Sequence, residues 1–147
     1  METAKAIIGS GAISNFEYVT YEVGSERLHK IKIVGKVGRQ ERIGLYNELL
    51  SLNRSSSFFC ILDNSRNFEN ILTFDDMRYL DNLLTTSGIK HFYGATITND
   101  KAYPLVIKMA AGSAEMYELD GELISTNSAS EAEEFIAEKI ANANSHP

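Results

Sequence analysis

Residues 58–63 read FFCILD, an apolar run that ends at an aspartate. The run does not alternate between apolar and polar side chains, which is typical of a central strand covered by helices on both faces. A polar loop follows Asp63. A helix is predicted to begin after Thr73, because Thr73 and Asp76 have the spacing of a capping box. The stretch therefore predicts a strand, a loop and a helix of an α/β sheet.

Upstream of this stretch, the runs FEYVTYEV and LHKIKIVGKV flank residues 24–27 and predict a β-hairpin. The second run alternates, so Lys30 and Lys32 share the face that is expected to lie in water, opposite His29. Gly38 then begins a stretch with apolar residues at helical spacing, which predicts the first covering helix.

Downstream, KHFYGATIT predicts another strand, and a third helix is predicted over residues 105–116, although YPLVIKM alone also fits a strand. The segment MYELDGELIST fits either a hairpin turning at residues 120–121 or a single strand over residues 122–126. A last helix is predicted to be capped by Ser128 or Ser130.

This order of elements predicts one α/β domain over residues 16–141. We expect a mixed sheet of four to five strands, with an N-terminal hairpin and about four helices. Residues 1–15 and 142–147 are expected to be flexible tails.

Composition limits the functions to consider. The net charge of −6 makes nucleic acid an unfavourable partner, since binding phosphates requires a basic surface. No apolar run approaches the roughly 20 residues of a spanning helix. The N-terminal stretch METAKAIIGSGAIS is too poor in basic and apolar residues for a signal peptide. These features predict a cytoplasmic location.

Motifs for catalysis or metal binding are missing from the sequence. His29, His91 and His146 have no metal-ligand spacing, and no phosphate-binding or dinucleotide-binding glycine motif occurs. Cys60 lies within an apolar run, which indicates a buried, inert thiol. We therefore expect neither an enzyme nor a cofactor or metal.

The loop after residue 63 is the best candidate site, because ligand and switch residues gather beyond the carboxyl ends of strands in open α/β sheets. Its candidate residues, for partner binding or a switch, are Asp63, Asn64, Ser65, Arg66 and Thr73.

The apolar strand ending in aspartate, the loop, the capped helix and the closing segment ISTNSASEAEEFIAEKI resemble the STAS-like family of anti-sigma-factor antagonists of the SpoIIAA type. The group that the chain resembles most is the SpoIIAA-like or STAS/SEC14 domains, over roughly residues 16–140. The resemblance implies a sheet packed by helices without catalytic apparatus. It also implies a regulatory module that binds a protein partner.

In the antagonists, a serine in an Asp-Ser-Ser-Gly-like motif before the second helix is phosphorylated. The matching region here reads NILTFDD, where Thr73 carries the only hydroxyl. The resemblance implies that Thr73 is a phosphoacceptor, whose added charge would block partner binding. A helix N-cap explains the same residue, and we favour the cap.

The resemblance also implies an alternative function, which is binding of a hydrophobic small molecule or lipid with peripheral association at the inner membrane face. The candidate ligand-binding residues lie on the third helix and are Leu105, Val106, Met109 and Met116. The candidate contacts to an anionic membrane surface are Lys30, Lys32, Lys36 and Arg39. A homodimer is a further alternative.

Overall fold

The structure, a computed structural model, describes residues 5–145. These residues form six strands and four helices. The strands are β1 (Lys5–Ile13), β2 (Phe16–Val23), β3 (Glu26–Ile33), β4 (Ser57–Asp63), β5 (His91–Ile97) and β6 (Asp120–Thr126). The helices are α1 (Arg39–Leu52), α2 (Phe74–Thr86), α3 (Tyr103–Met116) and α4 (Ala129–Asn144).

The strands form one sheet in the order β1-β2-β3-β4-β5-β6. Strand β2 is antiparallel to both of its neighbours, β1 and β3, whereas β3 to β6 are parallel. The predicted α/β class, with a mixed sheet and an N-terminal antiparallel hairpin, is thereby confirmed. The predicted number of four to five strands is wrong, since the described residues form six.

The additional strand is β1, which lies in a segment that we expected to be a flexible tail. It pairs with β2 from Lys5 opposite Val23 to Ile13 opposite Phe16. The connecting residues Ser14 and Asn15 have φ angles of 53° and 66°. Positive φ at both positions suits a two-residue hairpin turn that matches the twist of the strands. At the other end of the chain, α4 continues to Asn144, beyond the predicted boundary at residue 141. Tail residues 1–4 and 146–147, including His146, lie outside the described part of the chain.

Helices cover the two faces of the sheet unequally. The connections β3-α1-β4, β4-α2-β5 and β5-α3-β6 all step along the sheet in one direction, so crossovers of the same hand place α1 to α3 on one face. We call this the three-helix face. Helix α4 packs on the opposite face through Ala132, Ile136 and Ile140. Phe58 and Phe59 of β4 are both fully buried on opposite faces, which confirms the prediction of a central strand covered on both sides.

Strand β6 decides between the two alternatives for the segment around residue 120. Asp120 and Gly121 do not turn a hairpin; they begin β6, which pairs with β5 in parallel. Gly121 has a φ of 143°, and a Cβ atom at this position would collide with the carbonyl of Phe92. The glycine therefore permits close approach of two backbones.

The three-helix face contains a buried polar cluster near α1. His29 stacks on Phe58 with ring centroids 4.6 Å apart. Its Nε2 donates to Asn53 Oδ1 (3.0 Å), because the Asn53 amide nitrogen itself donates to the carbonyls of Ser55 and Ser57. Nδ1 then accepts from the Thr20 hydroxyl (2.8 Å). Burial lowers the pKa of His29 to about 4, so the ring is neutral.

Candidate functional site

The polar loop after β4 is held together by its own side chains. Asn64 is buried, and its amide group exchanges two hydrogen bonds of 3.0 Å with the backbone of Phe68. The Asp63 carboxylate accepts a hydrogen bond of 2.8 Å from the backbone amide of Ser65. These two predicted site residues therefore stabilise the loop that carries them.

Other predicted residues of the loop are exposed. Ser65 is open to solvent, and the guanidinium of the exposed Arg66 lies 5.1 Å from the centre of the Phe68 ring. Asn67, between them and Phe68, adopts a left-handed φ of 60°. The loop thus offers a polar surface, but the contacts bring together no nucleophile and base.

Thr73 forms the predicted capping box at the start of α2. Its hydroxyl accepts from the Asp76 amide (3.1 Å), and the Asp76 carboxylate accepts from the Thr73 amide (3.0 Å). Arg39 donates to the same carboxylate at 2.7 Å. Hydrogen bonds from Thr73 and Arg39 outweigh the effect of burial and lower the pKa of Asp76. The predicted cap is confirmed, whereas phosphorylation of Thr73 stays a prediction.

Ion pairs occupy most of the cations that we assigned to an anionic membrane surface. Lys30 pairs with Glu133 of α4 at 2.5 Å, Lys36 with Glu69 at 3.4 Å, and Arg39 with Asp76. Lys32 is exposed as predicted, but Lys30 is half-buried because α4 covers that face of β3. The prediction that both lysines lie in water is wrong for Lys30.

Part of the α4 face is an open depression, because α4 packs mainly on β3 to β6. It has a volume of about 630 Å³ and brings together Lys30, Lys32 and Asp63. Lys32 and Asp63 are paired positions of neighbouring parallel strands. The depression is lined by charges of both signs, since Glu17 and Glu133 lie in it with these three residues.

Of the four predicted ligand-binding residues on α3, three lie on the outer side of the helix and one faces the sheet. Leu105, Met109 and Met116 are 66%, 40% and 60% exposed on the outer side of the helix. Val106 faces the sheet. Only Val106 of the four therefore lines the space beneath the helix.

That space is a partly open cavity of about 320 Å³ between helices α1, α2 and α3 and strands β2 to β6. The apolar residues that line it include Leu62, Met77, Leu80, Leu84, Phe92, Val106, Ala110, Ala114 and Leu123. Small residues contribute to the lining from both the sheet and the helix, with Gly94 on β5 and Ala110 and Ala114 on α3. Helix α3 buries only Tyr103 and Ser113, so it covers the sheet without filling the gap.

Cys60 lies at the floor of the cavity. Burial raises the pKa of the thiol to about 12, because the thiolate would lose its hydration. The thiol is therefore protonated at neutral pH and a poor nucleophile. The predicted buried thiol is confirmed, and the side chain acts as an apolar part of the lining.

Asp81 brings a carboxylate to the same apolar space. Ser113 Oγ donates a hydrogen bond of 2.6 Å to Asp81 Oδ2, and burial raises the pKa of this acid although the hydrogen bond acts in the opposite sense. Tyr46 also lines the cavity, and burial raises its pKa, to which the Asp81 charge contributes. Arg42 lines it too, but its guanidinium donates to Asn70 and to the Ile71 carbonyl.

Sequence reasoning missed Asp81 and Ser113. A signal for Asp81 was present, since Asp81 follows Met77 by four residues and precedes Leu84 by three, which places an acid on the apolar stripe of α2. Ser113 has no comparable signal, because serine is common on exposed helix faces. The distance between α3 and the sheet, which creates the cavity, is not encoded in any local pattern.

No protein-family model, curated protein or solved structure matches the chain. The resemblance to STAS-like domains accordingly stays a prediction. In residues 5–145, no helix has the length and apolar character needed to cross a membrane. Over the same residues, histidine, cysteine and acidic side chains do not gather in groups of three or more that could hold a metal ion.

Proposed function

We propose that the protein binds a small, mainly apolar molecule in the cavity beneath α3. The observation that supports this most directly is the cavity itself, with a volume of about 320 Å³ and walls formed largely by aliphatic and aromatic side chains. Ligand sites typically have volumes of roughly 300–1,000 Å³ with mostly apolar walls and a few polar groups. The cavity lies at the lower end of this range, which suits a small ligand.

The packing of α3 supports the same function. A ligand must enter, and the helix that covers the cavity has few buried side chains to anchor it. Its N-cap residue, Ala102, makes no side-chain hydrogen bond to the first turn. Leu105, Met109 and Met116 on its outer side expose apolar surface next to the cavity, where an apolar ligand would arrive.

The regulatory hypothesis, in which a protein partner binds the loop after β4, stays a prediction. Its residues Asp63, Asn64 and Thr73 each have a structural role within the loop or the helix cap. No contact of the described residues favours a partner there over those structural roles. We therefore place ligand binding first.

Binding can be tested with the neutral fluorescent probe N-phenyl-1-naphthylamine. We expect its emission to rise when it enters the cavity, and we expect Ala110→Phe to reduce this binding at least about tenfold because the added ring occupies the space. Met109→Phe adds a ring one residue away, on the outer side of the same helix, and should leave binding unchanged.

Circular dichroism of both variants checks that the fold is retained. Equal binding by Ala110→Phe and wild type, with both folded, would place the probe elsewhere. Native mass spectrometry of the protein purified from its own cells would identify a ligand that is retained, as a mass lost on denaturation.

A further inference from the structure

The cavity contains an acid without a cationic partner, and this feature indicates which ligands it takes. The inference rests on the proposed function. Asp81 lies on the apolar stripe of α2, where Met77, Leu80 and Leu84 line the same space. Ser113 Oγ donates to Asp81 Oδ2, whereas Oδ1 receives no hydrogen bond from residues 5–145. One side of the carboxylate is therefore free to accept a hydrogen bond.

The charges around the cavity leave Asp81 unbalanced. Arg42 is the basic residue of the lining, and its guanidinium is bound to Asn70 and the Ile71 carbonyl. The other charged residues of the lining are Glu115, Asp120 and Glu122, and Glu122 forms an ion pair with Lys139. Within residues 5–145, no basic side chain forms an ion pair with Asp81.

Partial burial removes some of the hydration of the Asp81 carboxylate, and the protein returns one hydrogen bond, from Ser113. An anionic ligand would add repulsion between like charges. A ligand with a positive charge would instead restore a partner to the carboxylate, in a site of low polarity where charge-assisted hydrogen bonds are strong.

We propose that the cavity takes an amphiphilic amine, with the ammonium group bound to Asp81 Oδ1 and the hydrocarbon part packed against Val106, Ala110 and Leu123. The aliphatic lining accommodates the apolar part. The acid selects the head group, since it accepts hydrogen bonds and cannot donate one while it is ionised.

The test compares three ligands with the same hydrocarbon chain and different head groups, namely octylamine, octanol and octanoate. Each is titrated at neutral pH against the protein loaded with N-phenyl-1-naphthylamine, and the loss of fluorescence gives its affinity. We expect octylammonium to bind about tenfold more tightly than octanol, because both head groups can donate to the carboxylate but only the ammonium adds an opposite charge. Octanoate should bind more weakly than octanol.

Two variants connect the preference to the carboxylate. Asp81→Asn should lose the preference for octylammonium over octanol. Ser113→Ala keeps the carboxylate and should keep the preference, which controls for disturbance of the contact between α2 and α3.

Octylammonium binding no tighter than octanol in wild type, or an equal preference in Asp81→Asn, would overturn the inference while leaving the cavity as a ligand site. Failure of wild type to bind the probe and octanol would instead refute the proposed function, and the inference with it.

Discussion

The three-helix face has two ends that are built differently. At the packed end, Leu49 of α1 and Phe58 of β4 lie in the core and are fully buried. At the open end, α3 lies over β6 and leaves a cavity of about 320 Å³ that its alanines line. One sheet thus supports a region that is completed by its own side chains and a region that has room for another molecule.

Polar groups at the two ends show the same difference. His29 at the packed end has both ring nitrogens hydrogen-bonded within the protein. Asp81 at the open end receives one hydrogen bond, from Ser113. A group whose hydrogen bonds are all internal contributes to a unique core, whereas a group with a free acceptor can recognise a ligand.

The largest expected contrast is in the effect of removing a leucine from each end. Leu49→Ala should lower the free energy of unfolding by about 2–5 kcal/mol, because Leu49 is fully buried and its loss leaves a void. Leu105→Ala on α3 should change it by less than about 0.5 kcal/mol, since Leu105 is 66% exposed. Urea unfolding followed by circular dichroism measures both, and similar losses would show that the two ends are packed alike.

The next contrast concerns pH and the packed end. The pKa of His29 is lowered from 6.5 to about 4, so between these values the unfolded chain binds a proton that the folded protein does not. The contribution of neutral His29 to the free energy of unfolding is therefore fully present above about pH 6.5 and is lost as the pH falls towards 4. It amounts to about 3 kcal/mol, at about 1.4 kcal/mol per pH unit.

His29→Gln provides the control for this dependence, because glutamine does not titrate. Unfolding free energies measured for wild type and variant across this pH range should differ in slope, with the wild type losing more stability on acidification. Parallel slopes would mean that His29 is protonated in the folded protein as readily as in the unfolded chain.

The smallest expected effect concerns the capping box of α2, which α3 lacks. Thr73→Ala should lower the free energy of unfolding by about 1 kcal/mol, because the Asp76 amide loses its acceptor. Thr73→Ser keeps the hydroxyl and should be close to wild type. Thermal unfolding at a fixed pH compares the three proteins, and a neutral Thr73→Ala would show that the cap does not hold this end of the helix.

Much of the fold could be predicted because its elements carry strong local signals. The apolar run 58–62 predicted β4, and the spacing of Thr73 and Asp76 predicted the start of α2. Strand β1 could not be predicted in the same way, since KAIIGSGAI is rich in glycine and its burial does not alternate. It is held by backbone hydrogen bonds to β2, which depend little on side-chain pattern.

The candidate site was less predictable than the fold. The loop after β4 was chosen because it lies beyond the carboxyl end of a strand, but the side chains of Asp63 and Asn64 bind the backbone of the loop itself. The lining of the cavity includes small residues such as Gly94 and Ala110. Small residues occur throughout helices and strands, so their positions in the sequence do not predict a cavity. Asp81 carried a local signal, as a charge on the apolar stripe of α2, but it was not selected as a site residue.

The order of strands in the sheet has a consequence for synthesis of the chain. Each strand lies beside the strand that precedes it, from β1 at one edge to β6 at the other. A ribosome adds roughly 5–20 residues per second, slowly enough for each strand to join the edge formed before it. No strand needs to be inserted between two older ones. We expect the sheet to grow from β1 as the polypeptide emerges, with β6 added last.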